Sequence, residues 1–550
     1  MNNLNSNVPC ATPSEGAQDQ SVTSLDVLVV GAGFAGVYAV HRYRLQGLSM
    51  LCVEAASDVG GVWYHNCYPG ARCDVQSFDY SYSFSRELDQ EWIWPERYSG
   101  QPAILEYLRH VVTRFDLRRD MVFNTRVTAA RWDDEAARWL VETDTRRRFS
   151  CRFVVLATGA LSAPKDPDFD GLKDFKGQWY QTSRYPHEPV SYAGKRVGVI
   201  GTGSSGLQCI PVIAETAQHL TVFQRTAVFS KPARNHKIPP EVYAEQRARY
   251  PEYRAELKKS VGAVNMPAGT QSPFELDEAE RERVLEAFWN NGFLNMSSAF
   301  KESPYDLAAN AIVVEFVHRK IRSIVKDPQV AESLCPKDHP VGSRRPCIDT
   351  NYYETYNRPN VTMADLKKDP IVRITPDGIA TRDKHYPLDI IIFALGFDSI
   401  CGSQTRIDIR NGEGLSLAES WADAPLTYLG YLTPSFPNLF FVMGPGNPSV
   451  IANCITMSET DSDWIGECIA WLDRNGKSRI EADEKTAIDW MQLVSDIADK
   501  TLYVKANSWY MGSNIAGKPR RFLSYLGGYP SFVEISKRSA SEGYSGFKVS

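Results

Sequence analysis

Two glycine-rich segments carry the residue spacing that points most directly to chemistry. They are Gly31-Ala32-Gly33-Phe34-Ala35-Gly36 and Gly201-Thr202-Gly203-Ser204-Ser205-Gly206. In a GxGxxG segment the first glycine permits a tight turn, the second lets a pyrophosphate approach the backbone, and the third lets a helix pack on a strand. The N-terminus of that helix then faces the anion. A single such segment can be a turn without a ligand, but two of them in this context predict two dinucleotide sites.

The residue that ends the next strand distinguishes the two nucleotides. Glu54 lies 21 residues after Gly33 in the sequence, a separation at which a carboxylate can accept hydrogen bonds from both ribose hydroxyls. After the second turn the corresponding strand ends in Arg225-Thr226, and a cation with a hydroxyl suits a ribose that carries a 2′-phosphate. The second site is therefore expected to prefer NADPH over NADH, although Arg225 as an ordinary surface arginine stays open. The first site has no basic residue in the matching place and is expected to bind FAD.

The segments around the two turns predict the elements that position them. Apolar runs at residues 25–30 and 196–200 predict buried strands that lead into the turns. Helical patterns follow, and return strands are predicted at residues 49–54 and 220–225, which makes two βαβ units. The fold class is therefore α/β, with two Rossmann-like dinucleotide-binding domains and a helical insertion.

The order of these patterns predicts the domain organisation. We expect a flexible N-terminal tail over residues 1–24 and an FAD-binding domain formed by residues 25–150 and 391–550. Residues 151–231 and 341–390 are predicted to form the NADP-binding domain. The charged stretch over residues 232–340, in which helical patterns dominate, is predicted to be the helical insertion.

Composition limits the classes of function. The formal net charge of −5 gives no basic excess with which to bind nucleic acid. The 11 cysteines lack CxxC spacing, which excludes a disulfide reductase, and the 9 histidines show no metal-ligand spacing. No signal peptide or apolar run long enough to span a bilayer is visible. We therefore expect a cytoplasmic protein without metal, nucleic-acid partner or membrane contact, either a monomer or a weak homo-oligomer.

Several further segments resemble the Baeyer–Villiger monooxygenases, a family of class B flavoprotein monooxygenases. Gly60-Gly61-Val62-Trp63 followed by residues 68–74 (YPGARCD) looks like the flavin-facing segment of that family. Residues 175–186 (FKGQWYQTSRYP) resemble its fingerprint FxGxxxHxxxWP, and the resemblance runs from about Leu25 to the C-terminus, including residues 506–520 (ANSWYMGSNIAGKPR). It implies an enzyme that converts ketones to esters or lactones with NADPH and dioxygen through a flavin peroxide, and that also oxidises sulfides.

The resemblance also implies roles for single residues. In the pair Arg344-Arg345, the second arginine is expected to be the catalytic cation beside the peroxide anion and the oxyanion of the adduct, and the first to hold a nucleotide phosphate. Asp74 is the expected partner of Arg345. Trp509 matches a tryptophan on a loop that closes over NADP and substrate, and residues 446–450 are expected to line the substrate pocket. Further cofactor contacts are expected at Gly61, Val62, Trp63, Asp74, Tyr80 and Val127. The alternatives are surface charges for the arginines, a turn residue for Asp74 and a core position for Trp509.

The fingerprint departs from the family pattern at two positions. Gln181 stands where the family has histidine, and Tyr185 where it has tryptophan. A glutamine can donate and accept hydrogen bonds but carries no proton charge near neutral pH. We expect the fold and FAD binding to be kept, and the coupling of NADPH oxidation to oxygenation to be the property affected.

Three other functions stay open at this point. A related flavin enzyme that oxygenates an amine or a sulfide would share both turns but would depend less on a positioned arginine. An NADPH oxidase would release hydrogen peroxide in a one-to-one ratio with NADPH. A non-catalytic nucleotide-binding protein is the third, and such a protein would not require Asp74 and Arg345.

Overall fold

The computed structural model describes residues 22–513, 515, 517 and 519–550. Predicted tail residues 1–21 lie outside this range, whereas Thr23 and Ser24 already belong to the first strand. In chain order the strands are β1 Thr23–Val30, β2 Met50–Val53, β3 Met121–Val122, β4 Val127–Asp133, β5 Arg138–Thr143, β6 Arg148–Leu156, β7 Gln178–Gln181, β8 Arg196–Ile200, β9 His219–Gln224, β10 Ser230–Pro232, β11 Cys347–Asp349, β12 Val361–Asp365, β13 Ile371–Thr375, β14 Gly378–Thr381, β15 His385–Pro387, β16 Ile390–Phe393, β17 Asp408–Arg410, β18 Leu439–Phe441, β19 Ile480–Ala482 and β20 Phe547–Val549.

The helices cover the faces of these sheets and fill the stretch between β10 and β11. In chain order they are α1 Phe34–Leu45, α2 Val62–His65, α3 Arg86–Glu91, α4 Gln101–Arg114, α5 Ser204–Thr216, α6 Pro240–Leu257, α7 Glu278–Asn290, α8 Leu307–Ile324, α9 Pro328–Leu334, α10 Tyr352–Thr355, α11 Gly402–Thr405, α12 Leu417–Ser420, α13 Cys454–Arg474, α14 Glu484–Asp499 and α15 Tyr529–Ser541.

The first sheet has the strand order β17-β4-β5-β6-β1-β2-β3, and β18 pairs with β6. Its centre is parallel, with β1 between β6 and β2, and Val27 opposite Phe153 and Met50. The central strands are continuous apolar runs because helices bury both of their faces. The GxGxxG turn follows β1, so it lies at the carboxyl edge where ligands bind in sheets of this type.

The second sheet is parallel throughout, in the order β12-β9-β8-β16-β7. The turn at residues 201–206 follows its central strand β8. The two predicted βαβ units are therefore present, and the α/β fold class with two Rossmann-like units is confirmed.

Two of the predicted domain boundaries are wrong. The boundary at residue 151 falls inside β6, which pairs with β1 of the first sheet along its length. The boundary at residue 391 falls inside β16, which pairs with β8 of the second sheet. The chain crosses between the sheets only after each strand has ended, because a break within a strand would leave its backbone hydrogen bonds unpaired.

Helix α8 of the insertion packs on the second sheet, whereas Tyr243 of α6 joins the apolar cluster of the first sheet. Val313 and Phe316 of α8 share a buried apolar cluster with Val197 of β8 and Leu220 of β9. The strands on either side of the insertion, β10 and β11, pair with each other, so the insertion begins and ends at one place. Across the described ranges, no helix combines the length and the apolar character needed to cross a bilayer.

Candidate active site

The first glycine turn packs tightly against the helix that follows it. Gly31 has a φ of +102°, and a Cβ on Gly36 would lie 1.7 Å from the Gly31 carbonyl oxygen, so neither position accepts a side chain. Phe34 opens α1 and is buried. Glu54, 7% exposed, accepts hydrogen bonds from the Ala32 amide (2.6 Å) and the Ala56 amide (2.8 Å). The backbone thus fixes the carboxylate, and each oxygen keeps a lone pair for a ribose hydroxyl.

The segment after the second strand lies over this turn. A Cβ on Gly61 would come within 3.0 Å of the Gly33 Cα, so the two backbones are in close approach. Val62 opens the short helix α2, and the Trp63 indole donates to the Tyr80 hydroxyl at 3.0 Å. Val127 is buried at the start of β4 in the same sheet. Gly61, Val62 and Trp63 thus lie beside the first turn, and the roles of all these residues as flavin contacts stay proposals.

The second turn faces open space on its nucleotide side. A Cβ on Gly203 would meet no atom within 4 Å, whereas one on Gly206 would lie 2.1 Å from the Gly201 carbonyl oxygen. Thr202 donates its hydroxyl to the Thr226 carbonyl at 2.9 Å, which ties the turn to the end of β9. Ser204 and Ser205 are the first residues of α5.

Two arginines lie near this turn on different segments. Arg225 is exposed, and within the described chain no carboxylate forms an ion pair with it. Arg344 is half-buried, and its Nε has no hydrogen-bond partner among the described residues. Burial lowers the pKa of Arg344, Asp338 opposes this, and the charge of Arg225 lowers it further. Two cations that repel each other and form no ion pair with any described residue fit a phosphate.

Arg345 and Asp74 form a two-point ion pair. The Arg345 Nε donates to one carboxylate oxygen of Asp74 at 3.0 Å and Nη2 donates to the other at 2.7 Å. Nη1 donates to the Val450 carbonyl at 3.0 Å. Burial by itself lowers the pKa of Arg345, but Asp74 and the Tyr510 hydroxyl outweigh burial, and the pKa lies above its ordinary value. The guanidinium is therefore a permanent cation with a fixed plane.

The elements that carry this pair come from both nucleotide-binding units. Asp74 ends the segment over residues 68–74, whereas Arg345 precedes β11 beside the second sheet. Gln208 of α5 joins the two sides, since it accepts from the Tyr68 hydroxyl at 2.8 Å and donates to the Arg72 carbonyl at 2.9 Å. The charged pair thus lies where the two units meet. Sequence reasoning missed Gln208, because an amide on a helix carries no signal of its own.

Trp509 and Tyr510 lie on a short 3-10 helix, Trp509–Met511. Their rings pack at 4.1 Å, and both join a small apolar cluster that includes Val450. Trp509 is partly exposed and Tyr510 is buried. Tyr510 faces Arg345, and the sequence did not predict this contact because a single tyrosine in a loop carries no signal of its own. Of the matching segment, residues 514, 516 and 518 lie outside the described part of the chain.

The altered fingerprint residues are both buried. The Gln181 amide donates to the Lys165 carbonyl at 2.6 Å, and Gln181 pairs with Phe393 at the end of the second sheet. Tyr185 donates its amide to the His65 carbonyl at 3.3 Å, and its hydroxyl is hydrogen-bonded to that of Tyr192. The Tyr185 amide therefore joins this segment to the first unit at His65, and among the described contacts neither Gln181 nor Tyr185 touches Arg345 or Asp74.

The structure itself tests whether two dinucleotides fit. Gly33 and Gly203 are the N-cap residues of helices α1 and α5, and neither helix has a side-chain cap among the described residues. By contrast, α7 and α8 begin on aspartates that accept from backbone amides. Uncapped amides at a helix N-terminus bind anions. The two turns, the free space at Gly203 and the orphaned Arg344 Nε therefore fit two pyrophosphates and one further phosphate.

Comparison with known proteins agrees with this geometry. The family model "Flavin-binding monooxygenase-like" matches residues 25–248. A Baeyer-Villiger monooxygenase of Pseudooceanicola batsensis is 41% identical over 94% of this chain and 95% of its own. Phenazine N-monooxygenase PhzNO1 of Lysobacter antibioticus is 39% identical over 96% of this chain and 98% of its own. The structure of an oxidized steroid monooxygenase bound to NADP has a TM-score of 0.92 and 49% identity, and the match covers 96% of this chain and 99% of that one.

The fold and the site define a flavin-dependent monooxygenase with one unit for each of two dinucleotides. This chain belongs to the Baeyer–Villiger monooxygenase family. It is an NADPH-dependent enzyme, and its cofactors are FAD and NADP(H). The resemblance noted from the sequence is thereby confirmed.

Proposed function

We propose that this chain converts ketones to esters or lactones and that Arg345, held by Asp74, is the cation that stabilises negative charge on the reacting oxygen atoms. The observation that carries the proposal is the two-point ion pair at the meeting of the nucleotide-binding units. A preorganised cation in a partly desolvated site stabilises a developing oxyanion without reorganisation during the reaction. Arginine suits this role because it stays charged at every working pH.

The other site residues bind and orient. We propose that the first turn and Glu54 hold FAD, with Gly61, Val62, Trp63, Tyr80 and Val127 around it. The second turn, Arg225, Thr226 and Arg344 would hold NADPH. Bound FAD and NADPH supply the electrons and activate dioxygen. Val450 and Trp509 would then line the space for the ketone and shield it from water.

The test is a panel of linear, cyclic, aryl and steroid ketones, with esters quantified against NADPH consumed. The steroid ketone is included because of the 49% identical steroid monooxygenase. In Arg345→Ala, ester formation is expected to fall by at least about a hundredfold, the cost of losing one oxyanion donor, while NADPH still reduces the flavin. The control is Arg249→Ala on α6, an exposed arginine whose acidic neighbours lie at 4.0 Å. Ester formation by Arg345→Ala at the rate of the control would contradict the role of Arg345.

A second candidate function is oxygenation of an amine or sulfide. It is favoured by the 39% identity with a phenazine N-monooxygenase. Oxygen transfer to a nitrogen or sulfur atom forms no carbonyl adduct and therefore no carbonyl oxyanion, so it depends less on the arginine. A thioether and an aromatic amine assayed beside the ketones decide between the two. If Arg345→Ala abolishes ester formation but keeps heteroatom oxidation, both activities belong to this chain and only the first needs the cation.

We also propose that the protein acts in the cytoplasm as a monomer or weak homo-oligomer. Support comes from the cysteines, since every cysteine of the described residues is a free thiol, as is usual in a reducing compartment. Light scattering of the purified holoenzyme over a hundredfold range of concentration measures the oligomeric state. A constant mass of two or more chains at the lowest concentration would contradict the proposal.

A further inference from the structure

Asp461 is a fully buried carboxylate that has no cationic partner among the described residues. It lies on α13, and amide groups of the preceding loop surround it. One oxygen accepts from the Met443 amide at 2.8 Å, and the Asn447 side-chain amide donates to both oxygens at 3.1 and 3.2 Å. Burying a carboxylate without a cation is costly unless hydrogen bonds satisfy it. The loop is therefore shaped around this acid.

The loop over residues 443–450 holds a strained backbone. Met443 and Ser449 are not glycines, yet they have φ values of +56° and +44°. Each such conformation costs on the order of 1 kcal/mol or more and persists only where surrounding contacts enforce it. Asp461 binds the Met443 amide directly. It reaches Ser449 through Asn447, whose side-chain oxygen accepts from the Ser449 amide at 2.9 Å.

The far end of the same loop touches the catalytic candidate. The Val450 carbonyl follows Ser449 directly and accepts from Nη1 of Arg345 at 3.0 Å. Asp74 binds the other two donor positions, Nε and Nη2. Two acceptors on different sides of a planar guanidinium define its orientation. If the Val450 carbonyl moves, Arg345 can pivot about its contact with Asp74.

We propose that Asp461 is a positioning residue for Arg345, acting through Asn447, Ser449 and the Val450 carbonyl. This inference rests on the proposed role of Arg345. Asp461 touches neither cofactor nor substrate in this scheme. It holds the loop in a conformation that its own residue types disfavour, and the loop in turn holds the guanidinium plane.

The test compares Asp461→Asn with Asp463→Asn on the same helix. Asp463 is partly exposed, pairs with Arg42 and does not touch the loop. In Asp461→Asn the side-chain oxygen can still accept a hydrogen bond from one of the two donors, the Met443 amide or the Asn447 side chain. The new NH2 group then faces the other donor and cannot accept from it. We expect the ester formed per NADPH to fall about tenfold, within the hundredfold that a small misplacement can cost, with hydrogen peroxide making up the difference. Flavin reduction by NADPH is expected to stay within about twofold, since it does not need this geometry.

Two further measurements separate positioning from general destabilisation. Amide hydrogen exchange of peptides from residues 443–453 of the ligand-free protein is expected to rise in Asp461→Asn and not in Asp463→Asn. In an Arg345→Ala background, adding Asp461→Asn is expected to leave the residual ester formation unchanged, because both changes act through one group. A further tenfold loss in that background would overturn the proposal, as would full coupling in Asp461→Asn.

A milder variant covers the case in which Asp461→Asn does not fold. Asn447→Ala removes the middle of the connection and leaves the bond between Asp461 and Met443 in place. It is expected to show the same loss of coupling, and normal coupling in Asn447→Ala would refute the connection. If Arg345→Ala itself forms ester normally, the proposed function of Arg345 fails. If Arg345→Ala is inactive while Asp461→Asn and Asn447→Ala are fully coupled, only the present inference fails.

Discussion

Replacing Asp74 by asparagine tests the central ion pair, because the change keeps the shape and removes the charge. Asp74 accepts two bonds from Arg345, and about a quarter of each side chain is exposed, 24% in both cases. Hydrogen bonds to charged groups contribute roughly 1.5–3 kcal/mol each, and leaving one member of a buried pair uncompensated costs roughly 3–5 kcal/mol. The partial exposure puts the expected loss near the lower end, about 3 kcal/mol. The remaining acceptor of Arg345, the Val450 carbonyl, cannot replace two charged bonds.

The assay is urea unfolding of the ligand-free protein, followed by tryptophan fluorescence. Asp74→Asn is combined with Arg345→Met, which keeps the length of the side chain and removes the cation. The cost of Asp74→Asn is expected to drop from about 3 to under about 1 kcal/mol in the methionine background, which makes a coupling of roughly 2 kcal/mol or more. The control is Asp489→Asn in the exposed pair with Lys485, where no measurable change in the free energy of unfolding is expected. Equal costs of Asp74→Asn in both backgrounds would refute the view that the pair is a desolvated unit.

Three other perturbations have defined outcomes. Arg225→Ala is expected to raise the KM for NADPH at least about tenfold and to leave the KM for NADH unchanged, since charge-assisted hydrogen bonds to phosphate contribute roughly 1.5 kcal/mol or more. Steady-state kinetics with both nucleotides measures the two KM values. An equal rise in the KM for NADH would contradict a contact between Arg225 and the 2′-phosphate. Gln181→Ala removes the donor to the Lys165 carbonyl and is expected to lower the free energy of unfolding by about 1–3 kcal/mol and to raise peroxide release. Gln181→His can still donate and is expected to keep both quantities near the parent values. Normal stability of the alanine variant would show that the hydrogen bond is dispensable. Burial raises the pKa of Asp461 to about 7, although hydrogen bonds from the Met443 amide, Asn447 and Tyr431 act to lower this pKa. The folded state therefore keeps a proton on Asp461 that the unfolded state loses near the ordinary pKa of 3.8. This carboxyl group lowers the free energy of unfolding as the pH rises from about 4 to about 7 and has no further effect above pH 7. Urea midpoints across that range are expected to fall less steeply for Asp461→Asn, and an identical slope in both proteins would refute the raised pKa of Asp461.

The local elements could be predicted closely because their signals are local. The second turn follows a strand over Arg196–Ile200, as predicted, and the strand before the first turn ends at Val30 as expected. Helix α8 lies within the stretch where helical patterns were predicted, and it begins at Leu307 because Asp306 caps it. The domain boundaries at residues 151 and 391 were wrong, since the same apolar run is compatible with either sheet. Only pairing across the fold assigns β6 to the first sheet and β16 to the second.

The candidate site divides in the same way. The sequence by itself determined the two glycine turns, Glu54 and Arg225, because each lies within one βαβ unit whose geometry follows from residue spacing. It named Arg345 and Asp74 through resemblance, since 271 positions separate them and no periodicity connects them. The tertiary structure alone decided that Val450 and Tyr510 contact this cation and that Asp461 binds the loop that ends at Val450. Their contacts follow from how buried surfaces pack between the two sheets, and packing depends on the whole chain and not on neighbouring residues.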